Sequence, residues 1–153
     1  MSPSIDVSND EPNQALAKPI GIWLYLILFT LVVAHYLFII LIHSLELMPK
    51  GMANQAFFKS NGFYLNFVGN LILAITLIVA LFQMKQSAMS WSLTLFVFDV
   101  CSTSYWVLTQ NWIEMAGVFG LILVGSIWSA CISCYFYLRY LHKQKMLLPC
   151  ADF

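Results

Sequence analysis

The sequence predicts an all-α integral membrane protein, a bundle of four transmembrane helices with both termini in the cytoplasm. Three observations carry this. The 153-residue chain is 61% hydrophobic and only 9% charged, with mean hydropathy +0.81, whereas soluble domains carry about 25% charged residues. Four apolar runs, each long enough to cross a bilayer, are separated by short polar breaks. Basic residues are unequally shared between the two sides that these runs define. Net charge is zero, so no electrostatic case exists for nucleic acid. The bilayer itself is the expected partner, with a homo-oligomer or larger membrane complex as the remaining expectation.

Residues 1–18 are polar and acidic-leaning, with Asp6, Asp10 and Glu11, and read as a disordered cytoplasmic tail. They lack the basic n-region of a signal peptide, so span 1 is expected to stay as an uncleaved helix. A single membrane domain covers 19–145, and 146–153 form a short C-terminal tail.

Span 1 runs over about 20–42. Pro19 suits the first helical position, and Trp23 and Tyr25 look like interfacial anchors. Met48-Pro49-Lys50-Gly51 then ends the helix, and 52–59 read as a short interfacial helix using Phe57 and Phe58. Span 2 covers about 62–82 and span 3 about 91–109, joined by a polar turn over 83–90. Asn111 and Glu114 have N-cap and capping-box spacing before span 4. That span covers about 112–140, long enough to protrude into the headgroups.

Four spans place the N-tail, the second loop and the C-tail together. They carry Lys18, Lys85, Arg139, Lys143 and Lys145, against Lys50 and Lys59 opposite. The positive-inside rule then sets both termini in the cytoplasm, and the bacterial inner membrane is the expected location.

Helices in lipid associate through small residues and interhelical hydrogen bonds, and residues four apart share a face. Gly62, Asn66, Asn70 and Ala74 make one such row on span 2. Gly125, Ser129 and Ser133 make one on span 4, with Ser126, Ala130 and Cys134 beside it. On span 3, Asp99 aligns with Ser102, Thr103, Trp106 and Gln110, and span 1 offers His35. These rows are expected to face one another, leaving Leu, Ile and Phe to the lipid.

Asp99 stands out. An Asp at a helix centre costs about 2.5–3.5 kcal/mol to insert. The eight Leu, Phe and Val residues of span 3 return about 2.4–4.8 kcal/mol. Span 3 is thus marginal alone. Intramembrane acids are functional candidates by default; the alternative is a neutral acid hydrogen-bonded to Asn70 or His35 as packing glue. The candidate polar cluster is Asp99, His35, Asn66, Asn70, Ser102 and Thr103.

Cys101, Cys131 and Cys134 lie inside spans and Cys150 in the tail, so no disulfide framework is expected. Cys131 and Cys134 form a mid-helix C-x-x-C and read as two small packing residues rather than a redox pair. No metal site, cofactor motif or catalytic nucleophile is recognisable.

The run Pro19-Ile20-Gly21-Ile22-Trp23-Leu24-Tyr25-Leu26 and the closing Tyr135-Phe136-Tyr137-Leu138-Arg139 resemble a family of small bacterial four-span inner-membrane proteins, known only as a domain of unknown function. Its pattern is a Gly-Gly-Trp-Leu opening, four helices, then Tyr-Phe near a basic C-terminal end. Here Ile22 replaces the second Gly, and Trp128 lies about a turn farther from Tyr135 than the pattern expects. The resemblance spans about 19–145 and implies the fold, with no activity to transfer. Three function classes follow, in order: a non-catalytic accessory or assembly component, a small proton-coupled transporter using Asp99, and a membrane thiol oxidoreductase.

Overall fold

A computed structural model of the chain describes residues 18–47, 61–110 and 112–148. Among the described residues four helices follow in order: α1 (Ile20–Ser44), α2 (Asn61–Phe82), α3 (Ser87–Gln110) and α4 (Trp112–Lys143). Each contains a segment long and apolar enough to cross a membrane. The protein is therefore an all-helical transmembrane bundle. The acidic tail, the 52–59 helix, the Asn111–Glu114 cap, the Gln110 side chain and Cys150 lie outside the described residues.

The helices outrun their apolar stretches. α1 ends at Ser44, α3 begins at Ser87 and α4 ends at Lys143, because backbone hydrogen bonding continues where hydrophobicity stops. The α2–α3 connection shrinks to 83–86, with Met84 in left-handed conformation. Pro19 is the residue before α1 rather than its first helical residue. Its extended backbone (φ −57°, ψ 143°) leaves its carbonyl to accept from the Ile22 amide at 2.9 Å. α4 is not one straight rod. Gly117 breaks its helical conformation (φ 60°, ψ −168°), a region essentially confined to glycine.

Each helix packs chiefly against a neighbour in the chain, and the seam between α1 and α4 is the lightest of the four. The start of α1, the α2–α3 turn and the end of α4 share one end of the bundle. There the Lys18 ammonium sits 3.4 Å from the centre of the Phe82 ring. The Tyr137 ring fills the space a Cβ on Gly21 would need. The segment after α4 returns to the turn, where the Leu148 amide donates to the Met84 carbonyl (2.8 Å) and the Gln86 amide to the Leu148 carbonyl (3.0 Å). Near the same end Tyr25 is half-buried and packs against Phe29 and Tyr137, and Trp23 is exposed.

The main core occupies this half. Ile22, Phe29, Leu77, Leu81, Leu95 and Leu138 are fully buried in it, with Cys131 and Cys134 among them. The Ser92 hydroxyl crosses from α3 to donate to the Cys131 carbonyl at 2.8 Å.

One expected interface is overturned in part. Ala130 and Cys134 of the expected face are buried, but Ser126, Ser129 and Ser133 are exposed. α4 is rotated so that Ile127, Cys131, Cys134, Leu138 and Leu141 face inward. The serine hydroxyls donate within their own helix, to the carbonyls of Ile122, Gly125 and Ala130. A hydroxyl satisfied by its own backbone can face lipid at little cost, so its polarity does not force it inward.

Candidate functional site: a polar cavity at the centre of the bundle

Asp99 lies midway along α3 and is 5% exposed. Its Oδ2 accepts a hydrogen bond from the Trp128 indole N–H of α4 at 2.8 Å. The hydroxyl of Tyr36 on α1 and the amide of Asn70 on α2 also turn toward its carboxyl. Each of the other three helices thus sends a polar group to this acid. The expectation was a partner on span 1 or span 2; the tightest bond instead comes from span 4. A buried Trp N–H needs an acceptor, and a mid-span indole is a signal that sequence reading could have used.

On α2, Asn66 and Asn70 are one turn apart, and Asn70 Nδ2 donates to Asn66 Oδ1 at 2.8 Å. Asn70 Oδ1 is buried and has no hydrogen-bond partner among the described residues.

These residues surround a cavity of about 280 Å³. α1 lines it with His35, Tyr36 and Ile39, and α2 with Asn66, Phe67 and Asn70. α3 contributes Asp99, Thr103 and Trp106, and α4 contributes Gly120, Leu123, Val124 and Ile127. Five of the six residues singled out from sequence therefore meet at one void. Ser102 does not. It is rotated about 60° from Asp99 around the helix, on the α2–α3 face beside Gly62 and Phe98, and its hydroxyl donates to the Asp99 backbone carbonyl at 3.1 Å.

Three aromatic walls complete the cavity: Tyr36, Phe67 and Trp106. The Tyr36 and Phe67 rings meet edge to face at 5.8 Å. Beyond them, away from the termini, Phe63 and Trp106 form a second small core with Ile39 and Phe67. His43 Nδ1 and the Tyr64 hydroxyl share a hydrogen bond of 2.8 Å near the end of α1. This α1–α2 pair was not anticipated, since both residues lie outside the four-residue rows.

A second void, about 220 Å³, lies along the α1–α4 seam. Leu28, Leu31, Val32, Ser126 and Ala130 line it, and His35, Leu123 and Ile127 are shared with the central cavity. Those three side chains form the partition between the two spaces.

Cys131 and Cys134 are buried free thiols on the inward face of α4, while Cys101 is exposed. Among the described residues, no three His, Cys, Asp or Glu side chains gather closely enough to hold a metal ion. No family model, curated protein or solved structure matches the chain.

Proposed function

We propose that this chain is a small, non-catalytic inner-membrane protein with both termini cytoplasmic, and that its central cavity binds a small molecule, with Asp99 as the polar anchor. A carrier of small solutes is the function this reading favours. The observation that supports it is the form of the site. Asp99, though bonded by Trp128, also borders a void lined from all four helices, which leaves room for a ligand beside the acid. The orientation rests on the five basic residues at the end shared by both termini. The resemblance to four-span bacterial inner-membrane proteins agrees with the location and transfers no activity.

The accessory-subunit reading draws on a different feature. The exposed small residues Ser126, Ser129 and Ser133 on α4 would let a second membrane helix approach closely.

Native mass spectrometry of the full chain released from nanodiscs separates the two. Wild-type protein should carry a small bound mass that Asp99→Asn loses at equal folded yield. A stoichiometric protein partner retained equally by wild type and Asp99→Asn, with no small bound mass, would favour the accessory reading instead. Reporter fusions at residue 153 and within 49–61 test the orientation, and periplasmic activity at residue 153 would reverse it.

A further inference from the structure

We infer that the central cavity is a site for an organic ammonium group, loaded sideways from the membrane through the α1–α4 seam, and that its ligand is an amine with an apolar tail. This rests on the binding reading above and adds the ligand's chemistry and its route.

Asp99 is the one acidic side chain among the described lining residues. The Trp128 indole N–H donates to its Oδ2, and the Tyr36 hydroxyl and Asn70 amide turn toward it. An ammonium ligand would complement this acid with charge-assisted N–H bonds, whereas an anion would add acceptors to acceptors. Among the described lining residues none is Lys or Arg, so no resident side-chain ammonium or guanidinium competes for Asp99. His35, the one basic lining residue, stands in the partition toward the seam.

The walls match the same ligand. Tyr36, Phe67 and Trp106 line the space that Asp99 faces. Ring faces attract ammonium groups, most strongly where water is excluded. An acid combined with aromatic walls therefore selects a cation over a neutral molecule of the same shape. The volume sets the scale: about 280 Å³ is roughly twice that of the engineered apolar cavity, about 150 Å³, that takes benzene. An arylalkyl amine fits this space.

The route follows from the partition. His35, Leu123 and Ile127 each border both voids, so moving a few side chains joins them. The seam void is otherwise lined by Leu28, Leu31, Val32 and Ala130, with Ser126, and Leu31 is exposed on the outer surface of α1. It lies along the lightest of the four seams between adjacent helices. An apolar tail can remain there, in contact with lipid, while the ammonium group reaches Asp99.

Isothermal titration of the full chain in phosphatidylcholine nanodiscs tests this, with empty discs subtracting simple partition. The probes are 3-phenylpropylamine, its neutral counterpart 3-phenylpropan-1-ol, and N-hexyl-3-phenylpropylamine. Wild type should bind the amine about tenfold or more tightly than the alcohol. Asp99→Asn should bring the amine to the level of the alcohol. Phe67→Leu, which keeps an apolar wall but removes a ring, should weaken the amine several-fold and leave the alcohol unchanged. The hexyl tail should add several-fold, through close packing in the seam. Ser126→Phe, which fills the seam without lining the cavity, should erase that gain and leave the parent amine unaffected. Equal binding of amine and alcohol would overturn the ammonium site while leaving a binding cavity in place. Binding of neither would sink both readings. A hexyl gain that survives Ser126→Phe would remove the seam as the route.

Discussion

The two halves of the bundle are built from the same four helices and packed in opposite ways. Near the termini, Ile22, Phe29, Leu77, Leu81 and Leu138 interdigitate with the small residues Ala74, Cys131 and Cys134. In the other half, Asn66, Asn70, Asp99 and Thr103 meet bulky rings and leave a void of about 280 Å³. Alternating large and small apolar side chains can fill a seam. Polar groups that must also find hydrogen-bond partners cannot be arranged for volume alone. The first half holds the bundle together, and the second is free to hold something else.

Truncation should separate the halves most strongly. Leu77 is fully buried in the packed half. Leu77→Ala should cost about 2 kcal/mol, the lower end of the soluble range, because lipid rather than water solvates the separated helices. Leu123 is only half-buried and borders both voids, so Leu123→Ala removes fewer packing contacts and should cost less, about 1 kcal/mol. Reversible unfolding in mixed micelles measures both, and equal costs would erase the distinction.

A smaller effect probes the polar half. Trp128→Phe keeps most of the ring and removes the N–H that bonds Asp99 Oδ2. A loss of about 1–2 kcal/mol is expected, since a buried acceptor loses its donor. An unchanged stability would mean that water replaces the indole at no cost.

Smallest should be Ser92→Ala in the packed half. It removes the α3–α4 bond to the Cys131 carbonyl, and interhelical hydrogen bonds in membranes average about 0.6 kcal/mol. A loss above that of Trp128→Phe would show that hydrogen bonding, not side-chain packing, dominates near the termini.

What could be read in advance follows the same division. Hydropathy located all four helices because crossing the bilayer demands uninterrupted apolar length. Asp99 announced itself through its insertion cost, and Asn66 and Asn70 through their spacing. The outward turn of Ser129 and Ser133 could not be read, because a serine bonded to its own helix leaves no mark of direction in the sequence. Trp128 and Tyr36 were missed because aromatic residues in a span read as lipid-facing bulk until their polar ends are asked for partners. The return of Leu148 to Lys85 uses backbone groups alone, to which composition is blind. The break at Gly117 rests on one backbone angle, and a glycine among apolar residues is compatible with several.

The Asp99–Trp128 bond also bears on the order in which the chain is made. α3 is the span whose insertion is marginal, and its heaviest contact is with α4, which is synthesised after it. The donor for Asp99 lies 29 residues downstream. Until Trp128 enters the bilayer, α3 has an acid at its centre and only the earlier helices to receive it. A chain stopped between 111 and 127 would lack both the largest interface of α3 and the indole that bonds its carboxyl. Such fragments would hold the third span only weakly, so its stable insertion is expected to depend on completion of the last helix.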